Sequence, residues 1–69
     1  MTDYKCIKEV RMVYDGSIAF TKGKIYTAKD DGGDYLFEDD HHDRHTVSKE
    51  FLEDYFEEIV YGRLDFKIL

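Results

Sequence analysis

A small, mainly β barrel carrying one short helix is the fold this sequence predicts, and three observations predict it. Short stretches rich in β-branched and aromatic residues alternate with turns marked by glycine and aspartate. One stretch, from about Lys49 to Ile59, has apolar residues at helical spacing and a serine placed to cap it. The chain has 69 residues, enough for one domain, and a bent antiparallel sheet of that size buries a core best by curling on itself.

Tyr4 to Val13, YKCIKEVRMV, reads as the first strand, with Tyr4, Cys6, Val10 and Met12 facing inward and Lys8 breaking the pattern. Asp15-Gly16 marks a turn, after which Ile18, Ala19 and Phe20 are expected in an irregular loop folded back on the core. Lys24 to Lys29 is the second strand, with Tyr26 and Ala28 on one face and Ile25 and Thr27 on the other. Asp30 to Asp34, DDGGD, is a hairpin loop whose paired glycines supply the positive φ angles of a tight turn. Tyr35 to Glu38 is the third strand, Asp39 to Arg44 a second acidic turn, and His45 to Val47 a short fourth strand.

Ser48 then caps a helix from Lys49 to Ile59. Phe51, Leu52, Tyr55, Phe56 and Ile59 form its apolar face, and Glu50, Glu53, Asp54, Glu57 and Glu58 lie mainly opposite. Beyond Gly62, the alternation of RLDFKIL predicts a closing strand from Arg63 to Leu69 that pairs with the first strand or trails as a tail. About five strands and one helix in this order predict an SH3-like barrel, with a less regular α+β arrangement as the fallback.

Composition bounds the function. The single cysteine, Cys6, rules out an intramolecular disulfide and fits a reducing compartment. Six tyrosines and five phenylalanines supply the core that disulfides supply elsewhere. No apolar leader follows Met1 and no stretch is long enough to span a membrane, so a cytoplasmic protein without membrane contact is expected. The formal charge of −6 disfavours direct binding to nucleic acid and favours partners with a basic surface.

The segments KCIKEV and FTKGKIYTA, followed by an acidic hairpin and the capped FLEDYFEEI stretch, resemble a group of small proteins of phages and prophages. Those proteins open on a Lys-Cys-Ile/Val strand and carry a Thr-Lys-Gly-Lys-x-Tyr step. The matching positions are Lys5, Cys6 and Ile7, then Phe20, Thr21, Lys22, Gly23, Lys24 and Tyr26. The resemblance covers much of residues 4–59. It implies an SH3-like barrel and a phage accessory gene product, and it brings no agreed activity.

Three constellations could carry function. The first is the acidic stretch holding Asp30, Asp31, Asp34, Asp39, Asp40 and Asp43, which contains no Lys or Arg between Asp30 and Asp43. These carboxylates either solubilise the domain or form a negative contact face that imitates a phosphate backbone for a basic groove on a host protein. The second is His41, His42 and His45 among aspartates. The residue types suit transition metals, but no further histidine or second cysteine completes a cage, so no metal or other cofactor is assigned. The third is the aromatic set. Most of it should be core, while Tyr14 and Tyr61, beside glycine-containing turns, are placed to anchor a partner.

Nothing pairs a nucleophile with a base. Ser17 and Ser48 have no evident partner, and Cys6 sits within a strand, so the chain is not expected to be an enzyme. The expectation is a non-enzymatic accessory protein that binds and modulates a host protein through the acidic surface. A small-molecule-sequestering protein and a structural module of a phage assembly are the alternatives. A homodimer through an exposed C-terminal strand is left open.

Overall fold

The computed structural model describes residues 1–61. The fold is mainly β: β1 (Thr2–Cys6), β2 (Val10–Arg11), β3 (Ile18–Phe20), β4 (Ile25–Asp31), β5 (Asp34–Glu38) and β6 (Arg44–Val47), then α1 (Lys49–Tyr55) and β7 (Phe56–Glu58). A five-stranded antiparallel sheet has the order β6-β5-β4-β1-β7, and β2 and β3 form a separate hairpin. A small, mainly β fold with one short helix is the expected class. β4 is the long strand shared by both halves, pairing with β1 through Ile25–Ala28 and with β5 through Lys29–Asp31.

The inner face is aromatic. Tyr4, Cys6, Ala19, Phe20, Tyr26, Ala28, Phe37, Val47, Leu52 and Phe56 make the buried cluster. Phe37 stacks on Phe56 with centroids 4.6 Å apart, and Phe20 meets both edge-on. The alternation that predicted Tyr4 and Cys6 inward is observed, and of the two faces of the second strand the one carrying Tyr26 and Ala28 is buried.

Three expected elements differ. The first strand is interrupted: β1 ends at Cys6, and Ile7 to Glu9 bend away before β2. Cys6 accepts from the Gly23 amide at 2.7 Å, and the Ile7 amide donates to the Tyr55 carbonyl at 2.8 Å. These bonds turn the chain, and Lys8 swings out to lie over the Tyr55 ring. The expected loop at Ile18–Phe20 is β3, paired with β2. Gly16, at φ 72°, makes the turn between them, and Asp15 fastens it by accepting from the Ser17 amide.

The helix is shorter than predicted and ends at Tyr55. Its apolar spacing continues to Ile59, but no basic residue lies in its last turn, and Glu57 and Glu58 would sit at the negative end of a longer helix dipole. As β7 they fare better, because Glu57 lies opposite Lys5 and Phe56 opposite Cys6. β7 thereby takes the place beside β1 that the sequence suggested for Arg63–Leu69, a segment outside the described residues.

Ser48 caps α1 as expected: its hydroxyl accepts from the Phe51 amide at 3.2 Å. Ser48→Ala should lower the unfolding free energy by about 1 kcal/mol, read as a shift of the urea midpoint at unchanged slope.

Candidate functional site

The acidic stretch does not form one face. The β4–β5 turn and the β5–β6 turn lie at opposite ends of β5, so Asp30, Asp31 and Asp34 are separated from Asp39, Asp40 and Asp43 by the length of that strand. The two ends also differ in chemistry.

At the β5–β6 end, Asp39 is not a surface residue, contrary to its expected place in the contact face. It is buried, with 0% of its side chain exposed. Its Oδ1 accepts from the backbone amides of His41 (2.8 Å) and Asp43 (2.9 Å), which wraps the turn around it. Its Oδ2 lies 2.6 Å from His45 Nε2, and since a carboxylate only accepts, that nitrogen carries the proton. Burial pushes the Asp39 carboxyl upward, but the donated bonds from Asp43, His45 and His41 outweigh it and hold the carboxyl below its ordinary value.

Asp40 is equally committed. It accepts from Thr21 Oγ1 (2.6 Å), Tyr26 Oη (2.6 Å) and Lys24 Nζ (3.0 Å), while its own amide donates to the Ala19 carbonyl. Burial again opposes ionisation, yet the bonds from Thr21, Tyr26 and Lys24 bring the carboxyl down to about 2. The Tyr26 hydroxyl, pushed up to about 12 by burial and then by its bond to Asp40, also accepts from the Thr21 amide. Asp39 thus braces the β5–β6 turn from within, and Asp40 latches it to the segment Thr21–Tyr26. Asp43 remains exposed beside them.

The histidines are not brought together. His45 is held by Asp39, and His42, at φ 66°, pairs with Glu38 at 3.0 Å. Among the described residues, no three His, Cys, Asp or Glu side chains converge on a point where a metal ion could sit. The Cys6 thiol is fully buried, pushed up chiefly by that burial, and donates to the Lys8 carbonyl.

At the β4–β5 end the one side-chain bond to the carboxylates among the described residues is a long one, from the Gly33 amide to Asp30 Oδ1 at 3.4 Å. Asp31 pairs with Asp34 across Gly32 (φ 64°) and Gly33 (φ 99°), the two positive φ angles of a tight hairpin. Asp30, Asp31 and Asp34 are exposed and form no ion pair among the described residues. The register extends this group. Asp30 stands opposite Tyr35, and Tyr4 stands opposite Glu58. Tyr4 and Tyr35 touch edge-on with centroids 6.5 Å apart.

Two carboxylates therefore flank two tyrosines at the open end of the barrel. The Tyr4 hydroxyl records this: it is pushed up first by burial, then by the charges of Glu58 and Asp30, with Tyr35 between them. Glu58 was not legible as part of this group, because the sequence placed it on the polar face of a helix.

Both expected aromatic anchors are exposed. Tyr14 sits at the β2–β3 tip beside Val13, which is fully exposed and had no sequence signal of its own. Tyr61 donates to Asp3 Oδ2 at 2.8 Å. A bond from Thr27 and then this one lower the Asp3 carboxyl, and Tyr61 is thereby oriented along the start of β1.

No helix among the described residues is long and apolar enough to cross a membrane. Comparison with protein families, with curated proteins and with solved structures gives no match to this chain.

Proposed function

We propose that this protein is a non-enzymatic binding domain that takes a basic surface of another protein onto the open end of its barrel. The observation that carries the reading is the register that sets Asp30 and Glu58 on either side of Tyr4 and Tyr35, with Asp31 and Asp34 beside them at the hairpin tip. Carboxylates around aromatic rings suit lysine and arginine side chains. The charges attract the cation, and the partly exposed Tyr35 ring, backed by the buried Tyr4, receives it once it is partly desolvated. A net charge of −6 steers such a partner in. The likeness to small phage proteins supplies a setting, an accessory protein that modulates a bacterial host factor. A host groove built for phosphates has the positive charge such a face needs.

Asp39 and Asp40 have no part in this contact, since their oxygens are already occupied within the fold. The test is capture from bacterial lysate by the wild-type protein and by Asp30→Asn/Asp31→Asn/Asp34→Asn/Glu58→Gln. A protein held at low salt, released as salt is raised, and not held by the variant is the expected result. Equal capture by the variant, with its fold intact by circular dichroism, would defeat the reading.

A further inference from the structure

Among the described residues the sheet has two edges, β6 and β7, and they are not equivalent. β7 carries Glu57 and Glu58 in three residues, so a second copy laid along it would meet like charges, a common way to guard an edge. β6, Arg44-His45-Thr46-Val47, has no such guard.

Its free backbone groups can be assigned. The Asp39 amide donates to the Asp43 carbonyl at 2.8 Å, which makes that couple a hydrogen-bonded pair of the β5–β6 ladder. Antiparallel pairs alternate. With Phe37 opposite His45 and Tyr35 opposite Val47, those pairs are bonded, and the amide and carbonyl of Arg44 and Thr46 point away from β5. Ser48 keeps an extended backbone, φ −73° and ψ 165°, so the edge continues to the first residue of α1. Beside it runs an apolar groove of about 300 Å³, lined by Val10, Met12, Phe20, Thr46, Val47 and Phe51.

We infer that β6 pairs antiparallel with β6 of a second copy, centred on Thr46. This edge is self-complementary in that register. Thr46 meets Thr46, a favourable cross-strand pair, and each exchanges its outward amide and carbonyl with the other. Arg44 meets Ser48. Asp43 meets Lys49, the residue that follows the extended Ser48, twice by symmetry. Lys49 has no ion-pair partner among the described residues of its own chain. Centring on Arg44 instead would set two arginines face to face and is disfavoured. The partner strand would cover the apolar floor of the groove. This surface adjoins the carboxylate and tyrosine cluster where Val47 stands opposite Tyr35, but the residues that pair across the seam are not those of the cluster, and the inference does not depend on it.

Sedimentation equilibrium across a concentration series tests it with three variants. Thr46→Pro removes an outward amide and no ladder bond, a substitution that edge strands tolerate. Lys49→Glu sets like charges opposite Asp43, and Asp43→Lys/Lys49→Glu restores the opposition with the signs exchanged. The wild-type protein is expected to dimerise reversibly. Thr46→Pro should be monomeric, Lys49→Glu at least about tenfold weaker, and the double variant restored. The charge variants decide the matter should Thr46→Pro fail to fold. A wild-type protein that is monomeric up to about 1 mM, or a dimer that survives either single substitution, would overturn the inference.

Discussion

Phe20→Ala should leave the chain largely unfolded in dilute buffer. Phe20 is 2% exposed and meets four other rings edge-on: Tyr26 at 4.9 Å, Phe37 at 5.7 Å, His45 at 6.0 Å and Phe56 at 5.3 Å. It joins the β2–β3 hairpin to the sheet, so its loss opens a cavity between elements that have few other ties. A buried phenylalanine cut to alanine costs about 3–5 kcal/mol. A domain of this size has about 3–10 kcal/mol in all, without a disulfide to hold it. Loss of the cooperative urea transition, or a midpoint lowered by most of its value, is expected. A variant with a near-normal transition would mean that the hairpin is held by other contacts.

Asp39→Ala should be almost as damaging, although aspartates in an acidic turn are ordinarily dispensable. It strands the amides of His41 and Asp43 and removes the acceptor of His45. Leaving a buried donor unpaired costs about 1–3 kcal/mol; these three are part-buried, so about 1 kcal/mol each and about 3 kcal/mol in total is expected. Asp39→Asn keeps one acceptor oxygen and should cost about half as much.

The same latch makes stability depend on pH. Asp40 has a folded value of about 2 against 3.8 for a free side chain, and Asp39 is shifted in the same direction. The unfolded chain therefore binds more protons between these values, and stability rises with pH through the interval. The Asp40 contribution is complete above about pH 4 and vanishes as pH falls through about 2. It amounts to about 1–2 kcal/mol, because Asp40 keeps 19% of its side chain in solvent. Asp40→Asn should flatten the slope of unfolding free energy against pH in this range. Tyr26 gives the alkaline counterpart. With its hydroxyl at about 12 against 10.0, the unfolded chain loses the proton first, and stability declines above the ordinary tyrosine value.

Much of this fold was legible because strand periodicity and turn chemistry are local. Tyr4, Cys6, Tyr26 and Ala28 alternate inward, Gly32 and Gly33 made the hairpin visible, and Ser48 announced the helix start. What failed was what only tertiary pairing decides. Phe51, Leu52, Tyr55, Phe56 and Ile59 fit a helix throughout, and only the place beside β1 and the Lys5–Glu57 opposition turn Phe56–Glu58 into a strand.

The acidic residues show the same division. Sequence adjacency put Asp39 and Asp40 with Asp30, Asp31 and Asp34. Their roles part because Asp40 finds Thr21, Lys24 and Tyr26, between 14 and 19 residues away. Glu58 and Tyr35, distant in the chain, reach Asp30 and Tyr4 only through the registers of β4–β5 and β1–β7. No local pattern carries that information.

The most direct measurement compares the urea unfolding of Asp39→Ala with that of Asp30→Asn/Asp31→Asn/Asp34→Asn/Glu58→Gln. If the acidic residues are divided between a latch and a contact face, the single substitution lowers stability by about 3 kcal/mol. The four substitutions together should change it by no more than about 0.5 kcal/mol each way, or raise it by relieving repulsion. A strongly destabilised quadruple variant beside an undisturbed Asp39→Ala would contradict the division.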